Sequence, residues 1–293
     1  MSKKKILFIV SEDWYFVSHR INLAKYAIST GYKVAVICNS TEYRELIEKE
    51  GITFYDWKLK RGKLNPIKNI LHLKHLKTII NEYKPDLMHV VSMQLVLYVG
   101  LINFFFKSQK TIYALTGLGF LYSSESNLTK IINPIINIVL SIIFRDKEAN
   151  IIVQNYDDKK LLNHRNLNTN NNIHIIRGSG VDIEKYYYSK EEKKNDIIIL
   201  LPARMLWSKG VKDFVDCAKQ LKSNYHNVRF VLAGRLDYQN PESINIKVIE
   251  KWENNGIVEW WGNCKNMQEI YRQSSIVCLP SDREGLPKSL LEA

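Results

Sequence analysis

Two cationic side chains in the second half of the sequence stand where a strand passes into a helix. Arg204 and Lys209 lie in LLPARMLWSKGVKDF, after the apolar run IIILL, and a helical pattern begins directly after them. A guanidinium and an ammonium so placed are suited to hold a diphosphate, with helix N–H groups adding to the positive field. The alternative is that both are solvated surface charges, which a motif of this kind does not exclude by itself.

Two glutamates near the end of the sequence form a second candidate site. Glu284 and Glu292 flank GLPKSLL, in which Gly285 permits a close backbone approach and Pro287 suits the first position of a helix. Paired carboxyl groups of a glycoside hydrolase lie about 5–9.5 Å apart, whereas eight helical residues advance about 12 Å. The spacing therefore favours separate roles, each glutamate accepting hydrogen bonds from a different sugar of one ligand. A nucleoside-diphosphate sugar has that layout.

The elements that must position these side chains form two series of alternating strands and helices. Continuous apolar strands in such series predict parallel sheets covered on both faces. The fold class is therefore α/β, with two Rossmann-like doubly wound domains facing across a ligand cleft, the second incomplete. We place the first domain at residues 1–182, a linker at 183–195 and the second domain at 196–293. A dinucleotide oxidoreductase would need Gly-x-Gly-x-x-Gly where this sequence has SEDWYF after its first strand.

Composition excludes several other classes. Of the 293 residues 45% are hydrophobic, which argues for a packed core, and the four cysteines have neither disulfide nor zinc spacing. The apolar N-terminal stretch is too short for a signal peptide. Two longer apolar segments, 95–106 and 131–144, fall short of a bilayer span, and we expect Pro134 to break the second. Both are interpreted as buried or half-buried helices, and an interfacial role of one of them is the open alternative.

A formal charge of +12 indicates a polyanionic partner. Basic residues gather after the third strand and along the next helix, beside Trp57 and Ile67. This cluster predicts contact with anionic lipid head groups, with a merely solvated face as the alternative. Nucleic acid is not expected, because no ribonucleoprotein motif or recognition helix is present. The cluster comprises Lys58, Lys60, Arg61, Lys63, Lys68, His72, Lys74, His75 and Lys77.

The first domain contains three candidate positions for binding a second substrate. His19 and Arg20 end the loop expected after the first strand, where they contact a ligand or cap the following helix. His89 ends the strand DLMHVVS and is either catalytic or a buried, hydrogen-bonded histidine. Thr116 and Gly117, in LTGLGF, form a small-residue loop that admits a sugar or simply makes a tight turn.

Several motifs together resemble glycosyltransferase family 4, whose members are retaining enzymes of the GT-B fold. The motifs are EGLPKSLLE, PARMLWSKGVKDF, IIRGSGVDIEKY, ALTGLGFLY and FVLAGRLDYQNPESI, and they follow the family's order over most of the chain. The subgroup most resembled adds N-acetylhexosamines or related sugars to undecaprenyl-diphosphate-linked saccharides.

The resemblance implies a role for each candidate residue. Arg204 and Lys209 would bind the donor diphosphate and act with Glu284 in catalysis, Glu284 contacting the transferred sugar. Glu292 would bind the ribose hydroxyls, and the backbone of Gly285 and Leu286 would approach sugar or phosphate. The acceptor would bind at the first-domain residues His19, Arg20, His89, Thr116 and Gly117. No metal or other cofactor is implied, because the cations stabilise the leaving diphosphate.

The sequence thus predicts a UDP-sugar-dependent hexosyltransferase, cytoplasmic and peripheral on the inner face of the plasma membrane. Its partners would be a UDP-sugar and a polyprenyl-diphosphate-linked acceptor. Two observations leave alternatives open. Many relatives carry a second histidine where this sequence has Val91, and the relatives' pattern continues beyond Ala293, so the chain resembles a truncated one. A nucleotide-sugar-binding subunit without turnover and a transferase with a non-lipid acceptor are the alternatives.

Overall fold

The protein divides into two compact units, Met1–Ser179 and Gly180–Ala293. A computed structural model describes residues 3–58, 66–106, 109–116, 127–165, 167, 172–188, 196–238, 240–282 and 284–293. Residues 180–188, of which 183–188 fall in the expected linker, belong to the second unit, where Tyr186 packs against the core around Tyr271.

The first unit is a seven-stranded, fully parallel sheet in the order β3-β2-β1-β4-β5-β6-β7. The order reverses between β1 and β4, as it does in doubly wound folds. In chain order the elements are β1 (Lys5–Glu12), α1 (Asp13–His19), α2 (Ile21–Ser29), β2 (Lys33–Asn39), α3 (Arg44–Lys49), β3 (Thr53–Asp56), α4 (Pro66–Tyr83), β4 (Leu87–Val91), α5 (Met93–Phe105), β5 (Thr111–Leu115), α6 (Asn127–Phe144), β6 (Ala149–Val153), α7 (Tyr156–His164) and β7 (Ile173–Ile175).

Alternation along β1 divides the core of this unit into two layers. Leu7 and Ile9 face a cluster built by α4 to α7, while Phe8 and Val10 face one built by α1 to α3. Helices therefore cover both faces of the sheet, which is why its strands are apolar throughout. The predicted α/β class and the doubly wound arrangement of this unit are confirmed.

The segment after β1 differs from the expectation of a loop. β1 extends to Glu12, and α1 begins at once, so that His19 ends a helix and Arg20 forms the kink before α2. The fully buried Asp13 explains the difference. Its carboxylate accepts hydrogen bonds from the backbone N–H groups of Thr41 (2.6 Å) and Tyr43 (3.1 Å), which ties α1 to the loop after β2.

The expectation that Pro134 breaks a helix is wrong, because α6 runs through it from Asn127 to Phe144. Proline inside a helix removes one hydrogen bond and costs about 3 kcal/mol. Packing of Leu140, Ile143 and Phe144 in the core offsets that cost. None of the helices in the described ranges is both long and apolar enough to cross a membrane.

The second unit is a four-stranded parallel sheet in the order β10-β9-β8-β11. The alternation of strands and helices predicted for this unit is present. Pro287, expected at the first position of a helix, is extended instead, and α11 begins directly after it. The elements are β8 (Ile197–Pro202), a 3₁₀ turn (Trp207–Lys209), α8 (Val211–Lys222), β9 (Val228–Ala233), α9 (Ile246–Asn254), β10 (Glu259–Gly262), α10 (Met267–Gln273), β11 (Ile276–Val277) and α11 (Lys288–Glu292).

Candidate functional site

The main candidate site lies in the second unit, where the loop after β8 meets the loop after β11. These two strands are neighbours in the sheet, although β9 and β10 come between them in the sequence. They form the point at which the strand order changes direction, and ligands of open α/β sheets bind beyond the strand ends at such points. The cations and glutamates singled out from the sequence lie on these two loops or on the helix that follows.

Lys209 and Glu284 form an ion pair across this point. Both side chains are about three-quarters buried, which limits their screening by water. The two loops are also joined through the Ser208 carbonyl oxygen, which accepts hydrogen bonds from the Asp282 N–H (3.2 Å) and the Ser281 hydroxyl (3.1 Å). A cation and a carboxylate predicted on separate motifs are therefore brought together.

Gly210 makes this contact between the loops possible. Its φ of +70° is in the left-handed region, and a Cβ atom there would lie 1.9 Å from the carbonyl oxygen of Pro280. Any other residue would push the loop of Lys209 away from the loop of Glu284. The glycine is thus required by both backbone conformation and space.

Arg204 is held on the opposite side of the same loop. Its Nη1 donates to Oδ2 of Asp237 at 2.6 Å, and the Met205 N–H donates to the Arg235 carbonyl at 3.0 Å. Gly234 permits this approach, because a Cβ there would lie 1.7 Å from the Ala203 carbonyl oxygen. Asp237 was not among the predicted site residues, although its position in a polar run just after β9 was an available signal.

Glu292 lies apart from the ion pair, one turn into α11. Its side chain is 12% exposed, its Oε2 accepts a hydrogen bond from the Tyr271 hydroxyl at 3.3 Å, and its Oε1 lies 3.3 Å from Lys288 Nζ. Gly285 and Leu286 are exposed between the two glutamates. The two glutamates thus have different partners, and their separate roles towards a ligand stay a prediction.

A second polar cluster lies in the first unit at the reversal point between β1 and β4. Arg20 is 9% exposed and His89 is 7% exposed. The Arg20 Nη1 donates to the His19 carbonyl at 2.8 Å, whereas its Nε and the His89 Nε2 are buried without a hydrogen-bond partner among the described residues. Buried polar atoms are nearly always hydrogen-bonded, so such atoms at this place point to a ligand.

Tyr15, which was not among the predicted site residues, contacts His19, Arg20 and Thr116. Its ring stacks on His19 with centroids 4.4 Å apart and planes 5° apart, and the Arg20 guanidinium lies 5.9 Å from it. Burial raises the pKa of Tyr15, while the charge of Arg20 and a hydrogen bond with Thr116 oppose that shift. Four of the five predicted acceptor residues are therefore close together, and Gly117 lies outside the described residues.

The electrostatics of His89 favour a neutral imidazole. Burial, and then the charge of Arg20, lower its pKa from 6.5 to about 3. Its ring lies 5.3 Å from that of Phe8, so it has an apolar neighbour on one side. At neutral pH it can take part in hydrogen bonds but carries no positive charge, so Arg20 is the cation of this cluster.

Solved structures that resemble this chain establish its fold class. Sucrose-phosphate synthase from Thermosynechococcus elongatus superposes with a TM-score of 0.75 at 13% identity, covering 99% of this chain and 78% of that protein. Anabaena HepE in complex with UDP and glucose gives a TM-score of 0.69 at 14% identity, with 96% and 75% covered. With its two Rossmann-like units, the protein has the GT-B fold.

The family follows from the sequence comparisons. Residues 5–155 match the model for glycosyl transferase 4-like proteins, and residues 182–293 match that for glycosyl transferases group 1. The N,N'-diacetylbacillosaminyl-diphospho-undecaprenol alpha-1,3-N-acetylgalactosaminyltransferase of Campylobacter jejuni is 26% identical over 89% of this chain and 70% of that protein. The chain belongs to the glycosyl transferase 4-like family and is a glycosyltransferase.

The contact between the two loops of the second unit can be tested at Gly210. Gly210→Ala should lower the free energy of unfolding by about 3 kcal/mol, the sum of a left-handed alanine and a steric clash. Gly256→Ala is the matched control, because Gly256 has a similar φ of +66° but open space around it. It should cost about 1 kcal/mol. Equal losses in urea titrations followed by tryptophan fluorescence would contradict the close approach.

The neutral state of His89 predicts a specific pH dependence. The imidazole of the unfolded chain takes up a proton near pH 6.5, whereas the folded one does so near pH 3. This group therefore stabilises the fold above pH 6.5, and the contribution is lost as pH falls towards 3. Between pH 7 and 5 the wild type should lose about 2 kcal/mol more than His89→Gln.

The control for this experiment is His174→Gln, at an exposed position on β7. That variant should retain the wild-type dependence of unfolding free energy on pH. Equal slopes for the wild type and His89→Gln would show that His89 titrates normally in the folded protein.

Proposed function

We propose that the protein transfers a sugar, specifically an N-acetylhexosamine, from its UDP derivative to a polyprenyl-diphosphate-linked saccharide. The transfer retains the anomeric configuration, needs no metal ion and takes place on the cytoplasmic face of the plasma membrane. The name of the Campylobacter relative supports the lipid-linked acceptor, and the HepE complex supports UDP as the nucleotide.

The observation that carries the proposal is the Lys209–Glu284 pair at the reversal point of the second sheet. A bound diphosphate needs cations to neutralise its negative charge, and a bound sugar needs hydrogen-bond acceptors for its hydroxyls. Lys209 supplies the cation and Glu284 the acceptor, at adjoining positions. Because the ammonium offsets the charge of Glu284, the carboxylate can stay beside the diphosphate without strong repulsion.

Arg204 and Lys209 take the part that a divalent ion takes in other transferases. Negative charge develops on the leaving UDP as the glycosidic bond to the donor breaks, and fixed cations lower the energy of that state. Arg204 is partly exposed, and Asp237 holds its guanidinium in place at 2.6 Å. A guanidinium oriented in this way can bind a phosphate through two parallel hydrogen bonds.

The acceptor binds in the first unit at the cluster around Arg20. Among the described residues no carboxylate pairs with this buried guanidinium, so the cluster holds a positive charge that an anionic group would neutralise. The diphosphate of the acceptor is such a group. The neutral His89 and the Tyr15–Thr116 pair offer hydrogen bonds to the attached sugar.

An exposed apolar surface supports contact with lipid. The α5–α6 surface, as we call it, comprises Phe104, Phe105, Phe106, Ile135, Ile138 and Ile142. Phe104 and Ile142 border one groove, and the Lys77 ammonium lies 3.0 Å from the centroid of the Phe106 ring. Apolar side chains with a cation at their edge suit the boundary between acyl chains and anionic head groups.

The basic cluster expected from the sequence lies only partly within the described residues. Lys74, His75 and Lys77 are on α4, which packs beside α5. Lys60, Arg61 and Lys63 lie outside the described ranges, as does the side chain of Lys68. The described part of α4 therefore adds cations next to the α5–α6 surface.

The donor site is tested first by calorimetric titration of UDP. Lys209→Met and Arg204→Met should each weaken UDP binding by about 10- to 100-fold, because each removes charge-assisted hydrogen bonds. Lys212→Met is the matched control, since Lys212 is an exposed lysine on α8 that pairs with Asp216. Equal weakening in the control, or none in the two variants, would rule out this donor site.

The reaction is tested with a UDP-N-acetylhexosamine and a polyprenyl-diphosphate-linked saccharide. Transfer should persist in EDTA, and Glu284→Gln should lower kcat by about 10²-fold. UDP binding without transfer would favour the alternative of a nucleotide-sugar-binding subunit, for which the buried Val91 in place of a second histidine is the motivating observation. Equal transfer to a soluble saccharide would favour a non-lipid acceptor.

Membrane contact is tested by sedimentation with vesicles that contain anionic lipid. The double variant Phe104→Ser/Phe105→Ser should bind at least about tenfold more weakly, because each phenylalanine contributes about 1.5–3 kcal/mol when fully buried. Tyr225→Ser, at an exposed aromatic position of the second unit, should bind like the wild type. If the two variants lost the same affinity, the α5–α6 surface would not be the contact.

A further inference from the structure

Two tyrosines from different parts of the second unit converge on the Glu292 carboxylate. Tyr271, on α10, donates its hydroxyl to Oε2 of Glu292 at 3.3 Å. Tyr186 comes from the segment that opens the unit, and its ring packs edge-on against that of Tyr271 with centroids 6.2 Å apart. In addition to burial, the charge of Glu292 acts on the Tyr186 hydroxyl and raises its pKa.

The electrostatics agree with this geometry. Burial, and then Glu292, raise the pKa of Tyr186 to about 12, and the same two causes raise that of Tyr271. Both hydroxyls therefore keep their protons at neutral pH, and a protonated hydroxyl beside a carboxylate serves as a hydrogen-bond donor. Tyr186 ends the motif IIRGSGVDIEKY, but no role was predicted for either tyrosine from the sequence.

Local structure alone cannot hold Glu292 in place. α11 comprises only five residues, and a helix of that length has almost no stability by itself. The Glu292 side chain has a hydrogen bond with Tyr271 and an ion pair with Lys288, which belongs to the same short helix, and Tyr186 packs on Tyr271 beside it. The two tyrosines are thus the contacts that fix the carboxylate relative to the rest of the unit.

We propose that Tyr186 and Tyr271 are positioning residues that orient the Glu292 carboxylate towards the two ribose hydroxyls of the nucleotide. This inference rests on the proposed donor site. A carboxylate has about four acceptor positions on its two oxygens. Tyr271, with Tyr186 packed against it, and Lys288 occupy part of them from the protein side, which leaves the rest for a vicinal diol. The pair therefore contributes to recognition of the ribose and does not touch the reacting atoms.

The experiment compares two ligands, UDP and its analogue that lacks both ribose hydroxyls, by calorimetric titration. Tyr186→Phe and Tyr271→Phe should each weaken binding of UDP by about 3- to 10-fold, the range of one hydrogen bond. Neither variant should change binding of the analogue by more than about twofold, because the analogue offers nothing for an oriented carboxylate to bind. Glu292→Ala should lose UDP affinity and keep affinity for the analogue.

Tyr225→Phe is the matched control, because Tyr225 is an exposed tyrosine of the same unit. Equal weakening of UDP and analogue in the tyrosine variants would mean that the hydroxyls serve only the fold, and the proposal would be overturned. Unchanged UDP affinity in both variants would overturn it as well. A wild-type chain that does not bind UDP, or a Glu292→Ala variant that binds it fully, would instead disprove the donor site on which the inference rests.

Discussion

The close approach of three loops at the end of β8 is the constraint on which the candidate donor site depends. Gly234, after β9, allows a close approach to the Ala203 carbonyl in the loop after β8. Gly210, in the loop after β8, allows a close approach to the Pro280 carbonyl in the loop after β11. A side chain at either glycine would occupy space already filled by a backbone oxygen. Because the loop after β8 packs against both neighbouring loops, Arg204 pairs with Asp237 of one loop and Lys209 with Glu284 of the other.

The first unit uses a different arrangement at its own reversal point. There the Arg20 Nε and the His89 Nε2 are buried without hydrogen-bond partners among the described residues, whereas Asp13 accepts hydrogen bonds from the loop after β2. The hydrogen bonds of Asp13 stabilise the turn from β1 into α1, and the lack of a carboxylate partner for Arg20 among the described residues keeps a positive charge available. In this segment Asp13 thus contributes to the stability of the fold, whereas the nearby Arg20 is available to a ligand.

Much of the fold was predictable because alternating apolar strands and helices admit few arrangements. The order of elements and the α/β class followed from periodicity, and the candidate residues followed from motifs at strand ends. The errors arose where distant contacts overrule local preference. The loop expected after β1 is a helix because Asp13 binds the loop after β2, and α6 passes Pro134 because its apolar residues pack in the core.

The sequence by itself determined the class of the protein and the residue types at its candidate sites, since strand periodicity, glycines and charged motifs are local properties. Only the tertiary structure decided which partners those residues have. It paired Lys209 with Glu284, Arg204 with Asp237, and Glu292 with Tyr271. The reason is physical: parallel strands bring loops from distant parts of the chain to one edge of a sheet, and no local pattern records which loops will meet there.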